Sequence, residues 1–156
     1  MKLKFLCSTH HHAHLSQDPS RALIFWQSGF DTAQIFFDEG SWSEALAHIG
    51  CAFETAEIIL MSDVVDSQNS IELMTSSAVM LAFTLLKLNR VDDARDVYWS
   101  SIWFLERELT HGNVEYAELQ KYLGFLYSCV ENLNARFLFT DNTPMEATVQ
   151  VGSSIH

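Results

Sequence analysis

Glycine and proline are scarce in this chain of 156 residues, which contains six glycines and two prolines. An all-β sandwich or barrel needs turn residues at intervals of about 8–12 positions, so this composition disfavours that class of fold. Long helices need few such breaks, and hydrophobic residues still make up 48% of the chain. The scarcity therefore favours a single all-α domain with a sizeable core.

Cysteine is also rare. Cys7, Cys51 and Cys129 are widely spaced and form no CxxC pair, which is typical of free thiols in a reducing compartment. We find no apolar stretch of the length that a secretory signal or a membrane-spanning helix requires, about 20 residues for the latter. We therefore expect a cytoplasmic protein that does not associate with a membrane.

Basic residues are absent from residues 22–86, although nine acidic residues lie in the same stretch, and the net charge of the chain is −11. Nucleic-acid affinity comes largely from clustered lysine and arginine, so direct DNA or RNA binding is not expected. The acidic residues either attract a basic partner or keep a small protein soluble. The composition leaves both interpretations open.

Familiar catalytic motifs are missing as well. The chain contains no GxGxxG, GxxxxGK[ST], GxSxG or HExxH pattern, which leaves nucleotide, hydrolase and zinc-protease chemistry without support. His48 and Cys51 lie three positions apart and could pair a base with a nucleophile. Their neighbours are typical core residues and no orienting acid is evident, so we interpret the pair as packing residues. We expect no enzymatic activity and no cofactor.

A histidine cluster near the N-terminus is the exception to this lack of candidate chemistry. On a strand, His10, His12 and His14 would share one face and could bind a divalent metal. Structural zinc sites usually add ligands from a second element, and none is evident here. A divalent-metal-binding protein, with that metal as its possible cofactor, therefore remains an alternative function.

Apolar and small residues recur at spacings of three and four, and this periodicity predicts five antiparallel helices at residues 20–39, 43–61, 70–88, 91–110 and 114–136. Asp18 and Pro19 form an acceptable cap and first turn, Gly40 ends the first helix, and Ser43 can cap the second.

These helices place a helical domain at residues 19–138. Before it lies a His-rich segment, residues 1–18, whose first residues alternate weakly and could form a strand-like piece against a helix. The remaining residues, 139–156, contain Pro144 and little apolar content. We expect them to be a flexible or extended tail.

Two segments of the chain share one spacing at an offset of 49 residues, with seven positions at identical intervals. The first set is Ala33, Phe36, Gly40, Trp42, Ala45, Ile49 and Ala52. The second set is Ala82, Leu85, Asn89, Val91, Ala94, Tyr98 and Ser101. Asn89 stands where the first set has glycine. Small residues at matching positions would let helix backbones approach closely.

The segments AQIFFDEGSWSEALAHIGCA and AFTLLKLNRVDDARDVYWSS resemble the tetratricopeptide repeat family. The resemblance implies two helical hairpins plus a C-terminal helix, and a groove that holds a segment of a partner protein. The family repeats every ~34 residues, so an offset of 49 implies longer helices, and the family's proline after the second helix is missing. A simple helical bundle is the alternative fold.

The resemblance also implies an adaptor, chaperone or regulator, and the acidic composition suggests that it binds a basic or amphipathic segment of another protein. The candidate partner-binding residues are Asp38, Glu39, Glu72, Trp26, Trp99 and Trp103. A structural homodimer, whose groove is filled by its own copy, is a further alternative.

Overall fold

The computed structural model describes residues 4–5, 18–62, 65–111 and 114–154, the last stretch as backbone alone beyond residue 137. Five helices account for nearly all of these residues, and none of the described residues is in a strand. The helices are α1 (Pro19–Asp38), α2 (Trp42–Ser62), α3 (Ser67–Lys87), α4 (Val91–His111) and α5 (Tyr116–Ser154). The predicted all-α fold is confirmed.

The N-terminus of α1 forms as the sequence predicts. The Asp18 carboxylate accepts a hydrogen bond from the backbone N–H of Arg21 at 3.3 Å, and Pro19 lies in the first turn. The prediction for α2 is wrong in detail, because the helix begins at Trp42 and Ser43 therefore lies in its first turn rather than at its cap.

Helix α3 begins three residues before its predicted start. The Asp66 carboxylate accepts hydrogen bonds from the backbone N–H groups of Gln68 and Asn69, at 3.0 and 3.3 Å. An aspartate in this position satisfies backbone donors that otherwise lack partners at a helix N-terminus. The apolar periodicity begins only after this cap, which explains the late predicted start.

Helix α5 continues well past its predicted end near Arg136. It runs through Pro144 to Ser154 and contains 39 residues, so at 1.5 Å per residue it is about 58 Å long. The buried stripe of α5 ends at Leu133. The end of the apolar periodicity thus marks the point where α5 stops packing against the other helices. The helical backbone continues beyond that point.

The helices pack in sequence, each against the next, and α3 also contacts α5. The indole Nε1 of Trp26 in α1 donates a buried hydrogen bond of 2.8 Å to Ser77 Oγ in α3. These contacts bring α1, α3 and α5 to one side of the molecule. Five consecutive packed helices are compatible with a helical-repeat fold.

The turns after α1 and α3 have the same backbone conformation. Gly40 has a φ of 76° and Asn89, at the equivalent position, has a φ of 59°. This left-handed region favours glycine, and asparagine enters it more readily than most other residues. Asn89 therefore takes the place of the glycine that the repeat pattern lacks.

The two turns also form the same backbone hydrogen bond. The backbone N–H of Ser41 donates to the carbonyl of Phe36 at 2.9 Å, and the N–H of Arg90 donates to the carbonyl of Leu85 at 2.8 Å. Both bonds close the six-residue loop of a Schellman motif, which satisfies carbonyl groups at a helix C-terminus. The two hairpins share one turn geometry at the predicted offset.

The small residues of the repeat are buried in both hairpins, as the shared spacing predicts. The equivalent pairs are Ala33 with Ala82, Ala45 with Ala94, and Ala52 with Ser101. Burial without bulk at these positions allows close approach of the helix axes. The two hairpins are therefore built alike.

Phe5 packs on the surface of α2. Its backbone N–H donates to Glu54 Oε1 at 2.8 Å, and its carbonyl accepts a hydrogen bond from the Cys51 thiol at 3.4 Å. Its ring lies over Gly50, where an added Cβ would be 2.2 Å from ring carbons. The prediction that the first residues lie against a helix is met at Phe5, which is in neither a helix nor a strand.

Two helices have the length and apolar composition of a membrane span, contrary to the expectation from the sequence. They are α2, Trp42–Ser62, and the segment Gln68–Lys87 within α3. More than half of each apolar window is buried inside the protein. Contacts with neighbouring helices cover that part of the apolar surface.

Candidate functional site

An open groove of about 620 Å³ lies where α1, α3 and α5 come together. Its lining combines aromatic, aliphatic and a few polar side chains. Helix α1 contributes Phe30, Gln34 and Phe37. Helix α3 contributes Glu72, Thr75, Ser76, Val79, Met80 and Phe83. Helix α5 contributes Tyr122 and Phe125. The site therefore depends on three helices that are far apart in the sequence.

Apolar side chains with large exposed areas form the walls of the groove. Phe83 is 48% exposed and Phe125 is 49% exposed, on the facing helices α3 and α5. Phe30 is held in place by stacking on Trp26, with ring centroids 5.0 Å apart. Contiguous exposed apolar surface is uncommon on soluble proteins and marks interaction sites. The groove has the composition of a binding surface.

Glu72 is the one charged side chain among the groove-lining residues that the structure describes. Its Oε1 accepts a hydrogen bond of 3.1 Å from the Tyr122 hydroxyl, which joins α3 to α5. Partial burial raises the pKa of Tyr122, and the hydrogen bond to Glu72 raises it further. The groove thus has a negative charge and no lysine or arginine in its lining.

Thr75 lies three positions after Glu72 on α3 and also lines the groove. Its side chain is 7% exposed, and its Oγ1 has no hydrogen-bond partner. Other hydroxyls of α3 donate to a carbonyl one turn back, as Ser77 does to Leu73 and Thr84 does to Met80. A buried hydroxyl without a partner costs roughly 1–3 kcal/mol. Thr75 is the exception among the buried hydroxyls of this helix, and it lines the groove.

Two of the predicted acidic residues lie at the C-terminal end of α1. Both are exposed, and the Asp38 carboxylate accepts a hydrogen bond of 2.9 Å from Gln34 Nε2. Since Gln34 lines the groove, Asp38 is one contact away from it. Glu39 follows α1, and its described contact is a backbone hydrogen bond to Ile35. Glu72 alone, of the three predicted acids, is in the lining.

The predicted tryptophans separate into a core residue and two surface residues. Trp26 is 7% exposed and bonds to Ser77 behind the groove wall, so it supports the site without forming its surface. Trp99 and Trp103 are exposed on α4 and are not among the lining residues. Residue type alone could not distinguish these locations.

Trp99, Trp103 and Tyr127 form a second aromatic surface, here called the α4–α5 ridge. Trp99 meets Tyr127 edge to face, with centroids 5.9 Å apart, and the Arg107 guanidinium lies 5.0 Å from the Trp103 ring centroid. The Tyr127 hydroxyl donates to Glu106 at 2.6 Å, and this bond raises the pKa of Tyr127. Intramolecular contacts hold the exposed rings of the ridge in place.

Several groove residues were missed by sequence reasoning, above all the phenylalanines at 30, 37, 83 and 125. A signal for them does exist. Helices α1 and α3 carry more large apolar residues than one buried stripe needs, for example Phe37 next to the stripe residue Phe36. Surplus apolar residues beside a core stripe indicate a second apolar surface.

The histidine cluster, the candidate for metal binding, and the His48–Cys51 pair, interpreted as packing residues, have different outcomes. His10, His12 and His14 lie outside the described residues, so metal binding there stays a prediction. Within the residues that the structure describes, no group of three potential metal ligands is found. His48 stacks on Phe36, while the Cys51 thiol donates to the Phe5 carbonyl. The two side chains have different partners.

Comparison with known proteins gives no match: no protein-family model, no curated protein and no solved structure matches this chain. The resemblance to tetratricopeptide repeats therefore rests on the spacing of the two hairpins and on their common turn. The function has to be argued from the groove itself.

Proposed function

We propose that this protein is a non-enzymatic, tetratricopeptide-like interaction module whose groove binds an amphipathic segment of a partner protein. The observation that carries the proposal is the open groove between α1, α3 and α5, with aromatic walls and one charged residue in its lining. A partner segment with an apolar face would cover the exposed rings.

The shape of the groove favours a peptide segment as the occupant. Exposed phenylalanines on α3 and α5 face the groove from two sides, and Phe37 adds a third wall from α1. An amphipathic helix binds such a groove through apolar anchors on successive turns. Large aromatic side chains at the centre of an interface usually contribute much of the binding free energy.

The charge of the molecule supports a basic partner. The chain has a net charge of −11, and residues 22–86, which include α1 after its first turn, α2, and α3 up to Leu86, contain no lysine or arginine. Complementary charge increases association rates and disfavours acidic competitors. We therefore expect a partner segment with a basic polar face, bound less tightly at high salt.

Site-specific photocrosslinking tests this proposal. A photoreactive phenylalanine analogue at Phe83 would sample the groove, and the same analogue at Trp103 would sample the α4–α5 ridge. In extract of the source cells, we expect an adduct with a partner protein from position 83. The adduct should disappear when Ser76→Trp fills the groove of the same protein.

The controls define what would contradict the proposal. Equal adducts from both positions, or an adduct at position 83 that persists with Ser76→Trp, would show that the groove is not the contact surface. An adduct between two copies of this chain would favour the homodimer instead. Circular dichroism melting should first show that each variant is folded.

A further inference from the structure

Glu72 and Thr75 form a polar spot within a mainly apolar groove. They lie three positions apart on α3, so their side chains share one face of that helix. Both line the groove, and Glu72 already accepts one hydrogen bond from Tyr122. The Thr75 hydroxyl is buried and lacks a hydrogen-bond partner. The spot thus combines a negative charge with a buried hydroxyl that forms no hydrogen bond in the free protein.

Building on the proposed function, we propose that this polar spot binds a basic side chain of the partner segment, with arginine favoured over lysine. A guanidinium group has five donors in a planar fork, so it can donate to the Glu72 carboxylate and also to Thr75 Oγ1, once rotation of the Thr75 side chain turns that buried oxygen into the groove. Arginine is also weakly hydrated and stacks on aromatic rings. Phenylalanine rings from all three helices line the same groove.

The arrangement gives Glu72 a positively charged partner and Thr75 a hydrogen-bond donor. The lining of the groove contains no lysine or arginine to neutralise Glu72. Thr75 keeps a hydroxyl where valine would fill the same space without a buried polar atom. A hydroxyl without a hydrogen-bond partner lowers the stability of the free protein, and an incoming donor would relieve that cost. The ligand is therefore a cation with several donors on an apolar segment.

A displayed library of 16-residue helical peptides tests the inference on the full-length protein. Peptides would be selected for binding to the unchanged protein. Their binding to Glu72→Gln, and to Ser76→Trp, in which the groove is filled, would then be measured. Gln at position 72 keeps an acceptor for Tyr122 but removes the charge. We expect enriched peptides to carry a basic residue at one fixed position, more often arginine than lysine, and to bind Glu72→Gln about 10- to 100-fold more weakly.

The outcomes distinguish this inference from the proposed function. Peptides that need an open groove but lack a fixed basic residue, or that bind Glu72→Gln equally well, would overturn the inference and leave the proposed function standing. If no peptide distinguishes the unchanged protein from Ser76→Trp, both are overturned.

Thr75→Val provides an independent readout. The substitution removes the unpartnered hydroxyl, so we expect the free protein to melt at the same or a higher temperature while the selected peptide binds at least 3-fold more weakly. A lower melting temperature would show that the hydroxyl serves folding, and unchanged peptide affinity would exclude it from the site. Either result would overturn the role given to Thr75.

Discussion

Gly50 is a residue whose lack of a side chain has a structural purpose. The Phe5 ring occupies the space where a Cβ would lie, and it is held there by backbone hydrogen bonds to Glu54 and Cys51. A glycine inside a helix normally lowers stability by about 1 kcal/mol relative to alanine. Here that cost is offset by the close packing of an aromatic ring.

We expect Gly50→Ala to have different consequences in two backgrounds. With Phe5 replaced by alanine, Gly50→Ala should stabilise the protein by about 1 kcal/mol through helix propensity. With Phe5 present, the new methyl group displaces the ring, so the substitution should be at least about 1 kcal/mol less favourable. Urea denaturation of the four proteins measures this difference. Equal effects in both backgrounds would show that Phe5 does not pack on Gly50.

Glu57 gives a second prediction at the scale of one residue. Burial, and next the nearby Glu54 carboxylate, raise its pKa from 4.5 to about 7. The folded protein therefore holds this proton between pH 4.5 and 7, whereas the unfolded chain has released it. The free energy of unfolding should fall as pH rises through that range, by about 1–3 kcal/mol from this group, and should be level above it.

Glu57→Gln tests the assignment, because glutamine does not titrate. The variant should be more stable than the unchanged protein at pH 7.5 and should match it near pH 4. Denaturation midpoints measured at several pH values give the difference curve between the two proteins. A difference that does not vary with pH would rule out Glu57 as the source.

At the scale of elements, the repeated turn was the most predictable feature. Gly40 and Asn89 were matched from their spacing, and both have positive φ within the same hydrogen-bond pattern. The full length of α5 and the contact of Phe5 with α2 were less accessible from sequence. The apolar pattern ends with the packing at Leu133, and the contact of Phe5 joins residues about 45 positions apart in the chain.

The two turns should respond differently to alanine and glycine. Gly40→Ala places a Cβ at a φ of 76°, and we expect it to lower stability by about 1–2 kcal/mol. Asn89→Gly should be neutral or slightly stabilising, while Asn89→Ala should cost about 1 kcal/mol. Thermal melts of the three variants measure their order of stability. A destabilising Asn89→Gly would mean that the asparagine side chain, and not its backbone, is important.

At the scale of the whole molecule, the groove exists because three helices separated in sequence meet on one side. The sequence identified Glu72, since acidic residues dominate a stretch with no basic residue. It could not locate the groove walls, because the distance between α1 and α3 depends on packing such as the bond from Trp26 to Ser77. For the same reason, the three predicted tryptophans do not lie in one site: Trp26 is in the core, whereas Trp99 and Trp103 belong to the α4–α5 ridge.

Affinity capture with two matched variants tests the central claim, binding of a partner in the groove, most directly. Phe83→Asp alters the groove, and Trp103→Asp alters the ridge at a side chain of similar exposure, 54% against 48% for Phe83. We predict that one partner is captured by the unchanged protein and by Trp103→Asp, is lost with Phe83→Asp, and is released at high salt. Capture that survives Phe83→Asp but is lost with Trp103→Asp would contradict the account and assign binding to the ridge.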